Sequence, residues 1–309
     1  MFELATALGL KILPLYITIA LGYLFSRYLR GEREGIASLL IYLIGPVVIF
    51  MASYKVHLNL AVIMLPILLF ILNSALSLGT LRVSRNFFSD NTKNILAFSA
   101  GTGNTGYFGI PLAIMLLSED LANIYIFTVL ASLLYESTVG FFVVAKGNYT
   151  INQSLIKVAK LPSIYALILG LIFNVSHIEL NTSLIGYLDY FKGAYAILGM
   201  MMIGMGLKGL ANVGIDKMFM IFAFTLKFLI YPLCVLVIIW IDTYYFNFFN
   251  SDIYKVMFLF AIPPMAGNTV AVASLLKVHP QKAALAVVIS TAISIFTIPI
   301  MIALFLDTF

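Results

Sequence analysis

Two apolar segments of this sequence each contain a Gly-Asn-Thr tripeptide close to proline. The first segment reads Gly-Thr-Gly-Asn-Thr-Gly over residues 101–106, and the second reads Pro-Pro-Met-Ala-Gly-Asn-Thr over residues 263–269. Asparagine amides both donate and accept hydrogen bonds, and threonine adds a hydroxyl, so these side chains can bind a small polar ligand. The candidate binding residues are Gly103, Asn104, Thr105, Gly106, Pro111, Pro263, Pro264, Gly267, Asn268 and Thr269.

Proline and glycine in both segments predict that the helices containing them are interrupted. Proline removes a backbone donor and clashes with the preceding turn, and glycine loosens the helix. Half-helix N-termini then direct their positive dipole ends inward, and the freed amides near Gly106 and Gly267 can donate to a carboxylate. This chemistry favours a small organic anion as ligand. The alternative is that the two asparagines only satisfy the broken backbone.

The composition predicts that nearly the whole chain lies in a lipid bilayer. Of the 309 residues, 62% are hydrophobic and 10% are charged, and the mean hydropathy is +1.06. Soluble domains have roughly 25% charged residues. Apolar runs of about 20 residues, long enough to span a bilayer, predict ten transmembrane helices at 4–26, 36–54, 58–81, 94–117, 122–145, 155–175, 183–207, 217–241, 254–276 and 283–306. The fold class predicted is therefore an all-α membrane protein.

Basic residues are concentrated in alternate loops. The loops after predicted helices 1, 3, 5, 7 and 9 contain thirteen of them: Arg27, Arg30, Arg33, Arg82, Arg85, Lys93, Lys146, Lys157, Lys160, Lys208, Lys217, Lys277 and Lys282. The opposite loops contain only Lys55, Lys192 and Lys255. Because basic loops stay in the cytoplasm, both termini are predicted to be extracytoplasmic in a multi-pass cell-membrane protein. The net charge of +5 therefore does not indicate a nucleic-acid partner.

The two halves of the sequence, 1–149 and 150–309, are predicted to be inverted repeats of five helices each. Three residues of helix 1 recur in helix 6 at an offset of 148: Pro14, Gly22 and Phe25 against Pro162, Gly170 and Phe173. Asn104 and Asn268 match at an offset of 164. An odd number of helices per half inverts the second half in the membrane. Chance similarity is the alternative for helices 1 and 6.

The segments 104–111 and 263–269 resemble the crossover motifs of the auxin efflux carrier family. This family includes plant PIN carriers and bacterial relatives proposed to carry malonate or other organic acids. The resemblance covers essentially the whole chain, and the short linker between helices 5 and 6 is similar to that of bacterial members, which implies a bacterial inner membrane. It also implies broken, crossing helices 4 and 9, and a scaffold of helices 1, 2, 6 and 7, often homodimeric. A core of helices 3–5 and 8–10 would move against that scaffold.

Two charged side chains lie inside predicted helices 5 and 8, namely Glu136 and Lys227. A charge in mid-membrane costs about 2.5–3.5 kcal/mol on insertion scales, so each should be paired, neutralised or facing water. The resemblance places both helices in the core, which suggests a Glu136–Lys227 pair with Asn73 in the same network. Related folds hold sodium behind the crossing, a role that the Lys227 ammonium can take. A static ion pair that only positions helices is the alternative.

The function expected from these features is secondary transport of a small organic anion by alternating access, without a cofactor. A ligand sensor that keeps the fold but lacks a transport cycle is the alternative. An enzyme is not expected. An intramembrane active site needs a second carboxylate, a Ser–Lys pair or a histidine cluster at depth, and Glu136 has no second carboxylate as a partner. The Gly-x-Gly-x-x-Gly spacing of residues 101–106 does not indicate nucleotide binding, since no βαβ unit surrounds it.

Overall fold

The computed structural model describes residues 2–145, 161–206 and 214–305, and helices dominate all three ranges. No β-strand occurs within these ranges. Helices are found in each of the ten apolar segments, several as consecutive pieces. In chain order they are α1 Phe2–Tyr28, α2 Arg33–Leu39, α3 Gly45–Lys55, α4 Leu60–Ser84, α5 Thr92–Ala100, α6 Ile110–Leu116, α7 Glu119–Thr128, α8 Leu130–Ser137, α9 Val139–Ala145, α10 Pro162–Val175, α11 Thr182–Met205, α12 Lys217–Thr225, α13 Tyr231–Ile241, α14 Ser251–Ala261, α15 Asn268–Leu275 and α16 Pro280–Phe305.

Several helical stretches have the length and composition of membrane spans. Within the described ranges, five are long and apolar enough to cross a bilayer: Gly35–Lys55, Leu60–Ser84, Glu119–Ala145, Lys217–Phe246 and Pro280–Leu304. Two shorter apolar helices cover Ile12–Tyr28 and Pro162–Val175. Large apolar side chains are also exposed along these helices, as at Ile67 and Ile71 of α4. The architecture is that of a helical membrane protein.

Prolines widen the helical hydrogen-bond ladder at three places. The described residues include four π-helical turns, at Leu40–Ile44, Thr105–Gly109, Leu226–Ile230 and Asp242–Phe246. In the first three, a proline follows two residues after the turn ends: Pro46, Pro111 and Pro232. Proline lacks an amide donor and pushes away the carbonyl four residues before it, so wider bonds replace the α-helical ones.

Both helical interruptions predicted from the sequence are present. Helix α5 ends at Ala100, and helical structure resumes with the π-helical turn that begins at Thr105. Helix α14 ends at Ala261, and α15 begins at Asn268. Residues 101–104 and 262–267 are non-helical. These two stretches are called the first and second interruptions below.

Two pairs of helices approach each other closely through glycine. Helix α1 packs along α11, and α10 packs along α3. A side chain at Gly22 would collide with the backbone of Met201, and one at Gly170 would collide with the carbonyl of Phe50. Small residues are favoured at such membrane-helix contacts because they allow the backbones to come together.

Candidate ligand-binding site

The two interruptions are joined by a backbone hydrogen bond. The amide of Asn104 donates to the carbonyl of Pro264 over 2.7 Å, and the amide of Thr105 donates to the carbonyl of Gly103, also over 2.7 Å. Buried backbone polar groups are almost always paired, and broken helices in a membrane need partners other than their own ladder. Each interruption therefore supplies a hydrogen-bond partner for a backbone group of the other.

A cavity of about 350 Å³ lies against both interruptions. It extends from them to Leu40, Leu161 and Leu275. The sequence-predicted residues that line it are Gly103, Asn104, Thr105, Gly106, Glu136, Gly267 and Asn268. Much of the remaining wall is apolar, with Val48 and Ile49 among its residues. A mostly apolar cavity with a few converging polar groups is typical of small-molecule sites.

The other predicted site residues are buried but do not line this cavity. Pro111 lies in the first turn of α6, where it follows the π-helical turn. Pro263 and Pro264 belong to the second interruption, and Pro264 contributes its carbonyl to the bond with Asn104. Thr269, in the first turn of α15, is fully buried. The prolines shape the backbone around the cavity, and none of these residues forms its surface.

Glu136 of α8 lies in the cavity wall and binds the first interruption and the first residue of α15. Its Oε1 accepts a hydrogen bond from Thr102 Oγ1 at 2.5 Å, and its Oε2 accepts one from Asn268 Nδ2 at 2.6 Å. Only 8% of the residue is exposed. Among the described residues that line the cavity there is no lysine, arginine, histidine or aspartate, and Glu136 is the one side chain with a formal charge.

Asn104 differs from Asn268 in the state of its side chain. Asn104 Nδ2 is buried and has no hydrogen-bond partner in the described part of the chain, whereas Asn268 Nδ2 is engaged by Glu136. A buried donor without a partner costs about 1–3 kcal/mol. Because Asn104 is among the lining residues, a rotation of its side chain can bring this amide to a ligand in the cavity.

Lys227 lies behind the first interruption and does not pair with Glu136. It is 1% exposed, and its Nζ has no hydrogen-bond partner among the described residues. The Nζ lies 4.4 Å from the centroid of the Tyr231 ring, an arrangement that stabilises a cation. It also occupies the space where a side chain at Gly103 would stand. The pair suggested by the sequence is absent, and Glu136 is bound to Thr102 and Asn268 instead.

Asn73 is linked to Lys227 through Tyr231. The hydroxyl of Tyr231 donates to Asn73 Oδ1 over 2.6 Å, and the same ring stands under the lysine ammonium. Asn73 Nδ2 is buried and has no partner in the described ranges. The network suggested by the sequence thus divides into two groups, with Asn73 and Lys227 behind the interruption and Glu136 on the cavity side.

Several lining residues had no role in the sequence-based prediction. Tyr107 and Tyr195 stack with ring centroids 5.8 Å apart at the cavity, and Ser132 accepts a hydrogen bond from Thr105 over 2.9 Å. Thr102, which binds Glu136, lies inside the first Gly-rich motif, so its sequence position was a usable signal. Tyr195 lies in an apolar helix and had no such signal.

No protein-family model and no curated protein matches this sequence. The cavity is lined by Asn104, whose amide nitrogen has no partner among the described residues, and by the carboxyl group of Glu136. The buried ammonium of Lys227 lies immediately behind Gly103. These groups can bind and release a small polar or charged molecule by noncovalent contacts.

Proposed function

We propose that the protein is a secondary transporter that moves a small organic anion across a membrane by alternating access. The observation that carries this proposal is the pair of interrupted helices joined by the Asn104–Pro264 hydrogen bond at a cavity of about 350 Å³. Interrupted helices in a membrane transporter usually mark the substrate site, because half-helix ends and freed backbone groups replace the solvation of a polar substrate.

Three features favour an anion over a neutral molecule. The N-terminus of the eight-residue helix α15 meets the cavity at Gly267 and Asn268, and helix N-termini attract negative charge. Asn104 supplies an amide donor that no described residue engages. Lys227 places its ammonium directly behind Gly103, so its positive charge acts on the cavity through a residue without a side chain.

The architecture that we propose consists of ten transmembrane helices in two inverted repeats, similar to the auxin efflux carrier family. Glycine contacts support this arrangement. Gly22 of α1 meets α11, and Gly170 of α10 meets α3. An inverted repeat relates α1 to α10 and α3 to α11. The contact between α1 and α11 in one arrangement therefore corresponds to the contact between α10 and α3 in the other. Glycines matched in sequence would then have matched structural roles.

The cavity and the basic residues together suggest a cytoplasm-facing state. The cavity extends to Leu161, next to the basic linker before α10, and to Leu275, close to Lys277. Under the orientation predicted from the basic loops, both positions are on the cytoplasmic side. In this state a cytoplasmic anion would enter along the apolar walls and meet the donors at the interruptions.

We also propose that no sodium ion is needed for substrate binding. In this proposal the Lys227 ammonium, held over Tyr231 and next to Gly103, supplies a positive charge behind the interruption. A charge fixed in the protein replaces the electrostatic contribution of a bound cation. Sodium should then alter neither the affinity for the anion nor the transport rate.

A thermal-shift screen of the purified protein against mono- and dicarboxylates, with and without sodium and at two pH values, tests the proposal. Carboxylates that raise the melting temperature should then be transported into proteoliposomes, equally well in sodium and potassium buffers. Binding without transport would indicate a ligand sensor. Stabilisation by organic cations alone would rule out an anionic substrate, and stimulation by sodium would overturn the role of Lys227.

A further inference from the structure

The position of Glu136 creates a conflict at a cavity proposed to bind an anion. Its carboxyl group lines the cavity beside the two interruptions, and no basic side chain is among the described lining residues. An ionised Glu136 would repel a bound carboxylate across a short distance in a poorly solvated site. It also holds the amide of Asn268, one of the few donors available there, at 2.6 Å.

The titratable groups around Glu136 do not remove this conflict. The ammonium of Lys227 lies behind Gly103, over the ring of Tyr231, and makes no salt bridge with Glu136. Tyr135, next to it in α8, donates its hydroxyl to the Phe98 carbonyl over 3.0 Å. Tyr195 faces Glu136 from α11 and also lines the cavity. None of these groups donates to the carboxyl group, which is bound only by Thr102 and Asn268 among the described hydrogen bonds.

A proton on Glu136 would resolve both parts of the conflict. Uptake of one proton from water forms an O–H bond on the carboxylate and removes its negative charge. The neutral acid is a weaker acceptor, so the amide of Asn268 can turn to the carboxylate of the substrate. When the anion leaves, the proton returns to water, and Asn268 again donates to the ionised Glu136.

We infer that Glu136 takes up one proton when the anion binds and carries it across the membrane together with the anion. This inference rests on the proposed anion transport and specifies how it is coupled. Each cycle would move one proton with each anion in the same direction. A monocarboxylate would therefore be transported without net charge, and a dicarboxylate with one net negative charge.

Calorimetric titration tests this coupling without measuring transport. Indole-3-acetate and malonate serve as probes from about pH 7 to about pH 9, where their carboxyl groups are ionised. Titrations in two buffers with different ionisation enthalpies give the number of protons taken up. The full-length wild-type protein should take up one proton per anion at the alkaline end, and its affinity should fall about tenfold per pH unit.

Two variants and a control make the experiment specific. Glu136→Gln should bind the anion without proton uptake and with an affinity that does not change with pH. Thr102→Val retains the carboxyl group but removes one donor to its ionised form, so at about pH 9 it should bind roughly tenfold more tightly than the wild type. Asp252→Asn removes an exposed acid at the start of α14 and should retain the wild-type proton uptake.

The outcomes separate this inference from the proposed function. Anion binding by the wild type without proton uptake, or unchanged pH dependence in Glu136→Gln, would overturn the coupling and leave anion transport standing. If the wild type binds neither probe at any pH, both proposals fail. If it binds tetraethylammonium and Glu136→Gln does not, Glu136 is the counter-ion of a cationic substrate, and both proposals also fail.

Discussion

The two asparagines of the Gly-Asn-Thr motifs have different hydrogen-bond partners, although their sequence contexts are alike. Asn268 Nδ2 donates to Glu136, whereas Asn104 Nδ2 has no partner within the described residues. The backbone of Asn104, in contrast, joins the two interruptions by donating to Pro264. One side chain is therefore part of a buried polar network, and the other is available to a ligand.

Alanine substitution should separate these two roles. Asn104→Ala should weaken anion binding about 10- to 150-fold, the equivalent of one hydrogen bond to a charged group, without lowering the melting temperature. Asn268→Ala should weaken binding and also lower the melting temperature, because Glu136 loses a donor. Thermal melting and calorimetry of both purified variants provide the measurement. Equal stability losses in the two variants would contradict the distinction drawn between them.

Lys227 provides a second prediction at the scale of single residues. Among the described residues its ammonium has no hydrogen-bond partner, so Lys227→Met should not destabilise the protein, because it removes a buried charge that is stabilised only by the Tyr231 ring. Anion binding should nevertheless weaken, since the positive charge behind Gly103 is lost. Calorimetry and thermal melting of Lys227→Met test both effects, with Lys255→Met, which is not among the lining residues of the cavity, as a control. Unchanged affinity would show that the lysine does not act on the ligand.

At the scale of helices, an ion network joins three elements. Lys55, in the last turn of α3, contacts Glu119 of α7 at 2.8 Å and Asp189 of α11 at 2.9 Å. Lys192 of α11 donates to Asn123 of α7 over 3.0 Å. In the proposed architecture α3 and α11 belong to the scaffold and α7 to the core. The network would then hold the core against the scaffold on the extracytoplasmic side.

Removal of the Lys55 side chain should favour opening of the protein on the extracytoplasmic side. Exposed ion pairs contribute about 0.2–1 kcal/mol each, so the loss of two pairs in Lys55→Met should shift the equilibrium about 2- to 30-fold toward an outward-open state. The measurement is the rate at which a membrane-impermeant maleimide, added outside, labels a Ser137→Cys reporter in the cavity of a Cys234→Ala protein. Lys55→Met should raise this rate.

The control for this experiment is Lys255→Met, which breaks only the ion pair of Lys255 with Asp252, three residues away in α14. It should leave the labelling rate of the reporter unchanged. Equal labelling of the Lys55→Met and Lys255→Met proteins would mean that the network does not control access to the cavity.

At the scale of the whole molecule, the direction of insertion determines which side the cavity faces. Ser251 begins α14, and Ser89 precedes α5; both are exposed. The distribution of basic residues predicts that they lie on opposite sides of the membrane. In a Cys234→Ala background, Ser251→Cys should react with the impermeant maleimide in intact cells, and Ser89→Cys only after permeabilisation. The reverse labelling pattern would show that the protein is inserted in the opposite orientation and that the cavity faces the outside.

The sequence alone determined the helical class and the places where helices break. Composition and the length of the apolar runs were sufficient for the class, because a bilayer requires long apolar helices. Proline and glycine act on their own turns, so the interruptions at residues 101–104 and 262–267 followed from local chemistry. Pro111 also acts locally, on the turn that precedes it. That this turn would be π-helical was not predicted from the sequence.

Only the tertiary structure decided which side chains meet at the site. Glu136 and Asn268 are 132 residues apart, and their contact depends on how two helices are rotated about their axes. In a soluble helix the apolar face reveals that rotation. In a membrane, lipid-facing and core-facing positions are both apolar, so this contrast is lost. For this reason the sequence identified Glu136, Lys227 and Asn73 as a set, while packing assigned Glu136 to the cavity and the other two to Tyr231 behind it.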